Sequence, residues 1–410
     1  MSTLRHWLWL STRGPAPGMY AARVLACFGT PEAAFFAGEA DCARIPGLPG
    51  SVRQALLDKS LEEADDILAR CEQLGIRVLT MQDTDYPERL KQLETAPCVL
   101  YVKGRLPLMD EEAAVTIVGA RKASPYGIRT AGEFGLGLAR QGALVVSGSA
   151  AGVDSAALKG ALRGGGRVVS VLGNGIDVIY PRENRELYED IASAGALVSE
   201  YPPGTPPAPE HFPVRNRLLA GLSLGVLVVE GSARSGSLIT ARWALEQDRD
   251  VFAVPGPIGA ELSKGPNALI RRGEARLVCD VWDILEEYED LYPTKLRPRV
   301  PLSDRAIRDR LAGIEANVNP VPMPPPSPEA AAAEPRLIID LTADPEALTD
   351  DEAAVLRALQ GDQARTADDL VDRTGIPTRR ILSALTMLQV RQLAEQGTAG
   401  RFSTKVILKE

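Results

Sequence analysis

Glycines, hydroxyls and arginines recur at the ends of short apolar runs between Val115 and Cys279, a combination suited to gripping phosphate. The first run ends Ile117-Val118-Gly119-Ala120-Arg121. Gly119 lets the backbone approach a ligand, and Arg121 offers a forked, permanent cation. The second, Val146-Ser147-Gly148-Ser149-Ala150-Ala151-Gly152-Val153-Asp154, combines small residues with two hydroxyl donors. Asp154 reads as a helix cap or orienting group, because no acid or histidine lies near it in sequence to make a catalytic pair. The third ends Leu172-Gly173-Asn174-Gly175.

Two further stretches carry more. In His211-Phe212-Pro213-Val214-Arg215-Asn216-Arg217, two arginines flank an asparagine where an apolar helix opens, bringing cations to a helix amino terminus. Phe212 offers a ring on which a base could stack. The plain alternative is a surface salt-bridge cluster. Next, Glu230-Gly231-Ser232-Ala233-Arg234-Ser235-Gly236-Ser237 places a Ser-Gly-Ser turn between strand and helix, a candidate anion nest. Glu230 is a candidate partner for one of the arginines. What is missing matters equally. There is no G-x-G-x-x-G fingerprint with its acidic ribose anchor, no Walker A sequence, no nucleophile–base pair and no metal-ligand cluster. The pattern therefore predicts binding without catalysis, with no cofactor and no metal.

The elements that must position these residues are legible from Ala114 onward. Apolar, β-branched runs at Val115–Val118, Leu144–Val146, Val168–Leu172, Leu197–Val198, Val226–Val229, Val251–Val254 and Leu277–Cys279 are each separated by enough chain for a helix. Strands apolar on both faces belong to parallel sheets covered by helices, and such sheets bind ligands at the carboxyl ends of their strands. The expected fold is α/β, a Rossmann-like, doubly wound, mostly parallel sheet over residues 106–290. Residues 1–105 read as helical, with Gly75-Ile76-Arg77-Val78-Leu79-Thr80 as a short strand and two Pro-Gly pairs in Pro46-Gly47-Leu48-Pro49-Gly50. Either a plain turn or a DNA-contacting helical hairpin fits them. Residues 291–345, with Pro320-Val-Pro-Met-Pro-Pro-Pro-Ser-Pro and Ala330–Ala333, read as a linker. Residues 346–410 regain order. Thr349-Asp-Asp-Glu352 and Thr366-Ala-Asp-Asp369 are capping-box starts, a third helix follows Pro377, and a hairpin closes a winged helix.

Composition bounds the class. At 410 residues the chain exceeds one ordinary core, and no apolar run approaches the ~20 residues that span a bilayer. Five scattered cysteines without a C-x-x-C pair argue for a reducing cytoplasm. The net charge of −8 would disfavour a nucleic-acid partner if it were spread evenly. It is not, because residues 111–280 hold equal numbers of basic and acidic side chains.

Taken in order, Ile117-Val118-Gly119-Ala120-Arg121, Ser147-Gly148, Val171-Leu172-Gly173, Ser199-Glu200-Tyr201-Pro202-Pro203-Gly204, Phe212-Pro213-Val214-Arg215-Asn216-Arg217, Ser235-Gly236-Ser237-Leu238-Ile239-Thr240-Ala241 and Pro255-Gly256 resemble the DNA-processing protein A (DprA, or Smf) family. The resemblance implies an extended Rossmann domain that binds single-stranded DNA, with a SAM-like or helix-hairpin-helix region before it and a winged helix after it. It also implies a homodimer that protects incoming single strands and loads the RecA recombinase during natural transformation. Carried over as DNA contacts are Arg121, Ser147, Gly148, Phe212, Arg215 and Arg217; Gly119, Gly173, Asn216, Ser235, Gly236 and Ser237 complete the candidate set. The chain departs from the family where a histidine often follows the Gly-Ile-Asp aspartate by four residues. Here Leu158 follows Asp154.

Two rivals have distinct signatures. A nucleotide phosphoribohydrolase of the lysine-decarboxylase-like class would use Glu230 and an arginine. It is expected to carry a Pro-Gly-Gly-x-Gly-Thr turn, absent here. A duplex-binding regulator would use Arg379 and Arg380 of the winged helix, although Asp350, Asp351, Asp368 and Asp369 make that tail equally suited to a protein contact.

Overall fold

The computed structural model describes residues 2–14, 18–297, 337–340, 348–360, 364–391, 393–396, 401–404 and 406–409. The chain divides into two compact units, Met1–Val300 and Pro301–Glu410.

The first unit is built on a nine-stranded sheet. Its strands are β1 (Arg77–Thr80), β2 (Val99–Gly104), β3 (Ala114–Val118), β4 (Leu144–Ser147), β5 (Val168–Leu172), β6 (Ala196–Ser199), β7 (Gly225–Val228), β8 (Asp250–Ala253) and β9 (Arg276–Leu277), in the order β1-β2-β6-β5-β4-β3-β7-β8-β9. From β6 to β9 every pairing is parallel, while β2 runs antiparallel to β6 and to β1. The expected boundary at residue 105 thus falls after two strands that belong to the sheet. The first of them is legible as a short strand, but both pair antiparallel and so stand outside the parallel strand–helix–strand pattern.

Alternation along each strand feeds two cores. Val115 and Ile117 of β3 enter one, and Ala114 and Val118 the other. The first core is covered by α8 (Pro125–Arg140), α9 (Val153–Arg163) and α10 (Arg185–Ala194). It runs on into the amino-terminal helices α1 (Ser2–Ser11), α2 (Ala21–Phe28), α3 (Pro31–Phe36), α4 (Glu39–Ala43), α5 (Gly50–Leu57) and α6 (Glu62–Leu74). The opposite core is covered by α7 (Glu88–Lys91), α11 (His211–Gly221), α12 (Ser237–Glu246) and α13 (Lys264–Arg271), with α14 (Trp282–Leu285) returning to the first. Ion pairs tie the helical region to the sheet domain, Arg23 of α2 with Glu94 and Arg70 of α6 with Asp177. Arg70 of α6 donates from Nη2 to Asp177 Oδ2 at 2.7 Å, and Asp177 Oδ1 accepts from the Gly204 N–H at 2.7 Å.

The strand order reverses at β3. Strands β4, β5 and β6 extend to one side of it and β7, β8 and β9 to the other. This switch opens a crevice beyond the carboxyl ends of β3 and β7, walled in part by the β6-to-β7 connection that carries α11.

The second unit is a winged helix. It contains α15 (Asp350–Leu359), α16 (Ala367–Thr374), α17 (Thr378–Val390) and the hairpin of β11 (Ala394–Gln396) with β12 (Phe402–Thr404). Both expected capping boxes form, Thr349 with Glu352 and Thr366 with Asp369. Leu356, Leu370, Ile381, Leu385 and Phe402 share its core. Within the span expected to be linker, β10 (Leu337–Asp340) pairs in parallel with β13 (Val406–Lys409); the Pro320–Pro328 run lies outside the described residues. On α17, Arg380 forks onto Asp351 at 2.7 and 2.8 Å, while Arg379 is exposed.

Candidate nucleic-acid interface

An open cleft of about 400 Å³ occupies the switch point and draws together Gly119, Arg121, Phe212, Arg215, Asn216 and the Ser235-Gly236-Ser237 turn. A pit of about 60 Å³ adjoins it through Arg121 and Phe212 and adds Gly148 and Gly173. Ser147 and Arg217 line neither.

Arg215 is buried at one wall. Its Nη1 donates to the Gly148 carbonyl at 3.0 Å and to the Val171 carbonyl. Gly148 is required here for space, since a Cβ would lie 2.5–2.7 Å from the guanidinium. Asp154, at the start of α9, accepts from the Gly148 and Ala150 N–H groups at 3.2 and 3.4 Å and so holds the loop that cradles Arg215. Burial pushes the Asp154 carboxyl up to about 6, opposed by the charge of Arg215. Burial likewise lowers Arg215, with Asp154 opposing. The orienting role expected of Asp154 thus has a geometry behind it.

Phe212 is differently placed from the expectation that a base would stack on it. The Arg121 guanidinium lies over its ring, 4.7 Å from the centroid, and Arg215 stands 5.9 Å away. A Cβ on Gly173 would come within 2.9 Å of the ring. The aromatic therefore serves as a prop that aims a cation. Arg121 is exposed and, among the described residues, has no ion pair. Lys122, a cation that the sequence reading passed over beside Arg121, also lines the cleft and is exposed.

Arg217 is a correction. Two residues along a helix is about 200° of turn, so Arg215 and Arg217 cannot face one ligand. Arg217 points into the protein and forks onto Glu200 at 2.6 and 3.0 Å, with both side chains essentially sealed from solvent. Burial raises the Glu200 carboxyl, opposed by Arg217. The expected partner, Glu230, instead accepts from the Ser124 N–H and hydroxyl at 2.9 and 2.6 Å, fixing the start of α8. Ser147 is also structural, being fully buried with its hydroxyl donating to the Ile117 carbonyl at 2.7 Å. Gly119 serves packing as well as access, since a Cβ would lie 2.6 Å from Val153 Cγ2.

Across the cleft, Asn216 Nδ2 donates to the Gly236 carbonyl at 3.3 Å and ties α11 to the Ser-Gly-Ser turn. The hydroxyls of Ser235 and Ser237 bond each other at 2.9 Å. The Leu238 and Ile239 N–H groups close on the carbonyls of Ser235 and Gly236. The turn therefore offers less of a nest than expected: the Gly236 N–H and two hydroxyls.

The fold defines a class, a Rossmann-like, mostly parallel α/β protein that carries a winged helix. The family model for DNA recombination-mediator protein A matches residues 77–289, beginning at β1, and the DprA winged helix domain matches residues 321–400. The chain belongs to the DNA recombination-mediator protein A family. It is 33% identical over 407 residues to the putative DNA processing protein DprA of Mycobacterium tuberculosis, covering 96% of this chain and 92% of that one. With the DNA processing protein DprA of Bacillus subtilis it shares 40% identity over 221 residues, which is 54% of this chain and 74% of the relative. The X-ray structure of DprA from Streptococcus pneumoniae superposes with a TM-score of 0.59 at 35% identity, covering 69% of this chain and 96% of that one. No helix among the described residues is long and apolar enough to cross a membrane.

Proposed function

We propose that the switch-point cleft binds the phosphodiester backbone of single-stranded DNA, and that the chain acts in the cytoplasm as a recombination mediator. In this reading it works as a homodimer, protects incoming single strands and hands them to the RecA recombinase during natural transformation. The observation that carries the reading is Arg121, an exposed guanidinium held over Phe212 with no carboxylate partner among the described residues, facing a cleft walled by Arg215 and the Ser-Gly-Ser turn. Family membership supports the DNA-processing role. The phosphoribohydrolase reading loses support, because Glu230 is bonded to the Ser124 N–H and hydroxyl and does not line the cleft.

Titration of labelled single and double strands at several salt concentrations tests this. Single strands should bind more tightly than duplex, with affinity falling steeply as salt rises. Duplex preference, or hydrolysis of a nucleoside monophosphate, would overturn the reading.

A further inference from the structure

With Phe212 engaged by Arg121, the exposed ring at the pit is Tyr180, 40% accessible and stacked at a tilt beside Phe212 with centroids 5.6 Å apart. Its backbone is anchored from two directions. The Tyr188 hydroxyl donates to the Tyr180 carbonyl at 2.9 Å. Asn174, 1% exposed, donates from Nδ2 to the carbonyls of Gly175 and Val178 at 2.9 and 2.7 Å, pinning the loop that leads to Tyr180. The ring is therefore set before any ligand arrives, which lowers the ordering cost of binding. Between Tyr180 and Arg121 the pit is walled by Gly148, Ala150, Ala151 and Gly173. At about 60 Å³ it is too small to enclose a nucleobase. A base can lie only across its mouth. Besides Arg121 and Tyr180, the polar side chain in the lining is Asn174, which is buried with its Nδ2 committed to backbone carbonyls.

We propose that Tyr180 is the stacking platform for the base of the nucleotide whose phosphate Arg121 holds, accepting any base by its π-face. This rests on the single-strand reading above. Stacking of a base on an aromatic is sequence-tolerant, and its removal costs roughly tenfold in affinity.

The test compares full-length protein binding to a short labelled thymidine oligonucleotide and to an abasic strand of equal length and charge. Tyr180→Ala should weaken the thymidine strand by roughly tenfold and leave the abasic strand unchanged. Tyr180→Phe should bind both as the parent does, and Arg121→Ala should weaken both. Circular dichroism melting confirms that the variants fold. Equal loss on both strands with Tyr180→Ala, or loss on neither, overturns the proposal while the single-strand reading stands. If the parent protein binds neither strand, that reading fails and takes this one with it.

Discussion

The two ends of the sheet both gather cations, but in opposite states. Beyond the carboxyl ends of β3 and β7, Arg121 rests on an aromatic ring and, among the described residues, makes no ion pair, although Asp154 lines the same cleft. At the amino ends of β3 and β5 lies a larger groove, about 870 Å³, bordered by Arg77, Arg105, Arg167 and Lys295. There, Glu112, its side chain only 4% exposed, takes both Arg167 at 2.6 Å and Lys295 at 2.9 Å. Arg77 is held by Asp85 at 2.8 Å. Drawing Arg167 and Lys295 toward a phosphate would leave a buried carboxylate uncompensated, which is far costlier than breaking an exposed pair. Neither groove size nor the number of cations marks the better phosphate site. In the reading proposed above, what marks it is a cation that makes no ion pair among the described residues.

The same distinction within one helix sets the largest expected effect. Arg217→Ala strands the sealed Glu200 carboxylate and should cost about 3–5 kcal/mol of stability in urea unfolding, whereas joint replacement of Arg217 and Glu200 by methionine should recover most of it. If the single variant unfolds like the parent, the pair is not the internal brace described here. Arg121→Ala should instead leave the melting temperature unchanged and weaken single-strand binding roughly tenfold, with the salt slope falling by about 0.7 for one lost phosphate contact. An unaltered slope would show that Arg121 faces no phosphate.

Asp154 gives the next effect, a pH dependence. Its folded carboxyl stands at about 6, above the ordinary value near 4. The folded state therefore binds more protons than the unfolded state between those values, and stability falls as pH rises through that window. Protonation also removes a negative charge from beside Arg215. Affinity for single strands at fixed ionic strength should thus be higher at pH 5.5 than at pH 7.5, and Asp154→Asn should flatten this difference. An equally steep profile in the variant would assign the dependence elsewhere. The smallest change belongs to the other end of the sheet. Arg167→Ala should alter single-strand affinity by less than about twofold, because Glu112 already spends that charge. A loss matching that of Arg121→Ala would break the comparison of the two ends.

Much of the architecture was readable because its signals are local. Fully apolar β-branched runs such as Val226–Val229 declare buried strands whatever surrounds them, and Thr349-Asp-Asp-Glu352 declares a helix start by its own hydrogen bonds. Strand β1 is legible from Gly75–Thr80 as a strand, but the place of β1, β2 and β10 in their sheets was harder. Their membership depends on pairing with distant partners such as β6 and β13, which composition does not encode. At the site, helical periodicity alone separates Arg215 from Arg217. Which of the two meets the cleft, however, depends on the side from which α11 packs on the sheet.

From residue types alone, the chain predicts a phosphate grip at the strand ends of a doubly wound sheet, since glycine, hydroxyl and guanidinium have that chemistry in any context. Folding then decided which arginines remain available. Arg121 is left with a ring beneath it, Arg215 with Asp154 close by, and Arg217 with Glu200 sealed around it. A side chain's charge is a property of the residue. Whether that charge is already neutralised is a property of its neighbours, and only the tertiary structure brings those neighbours into place.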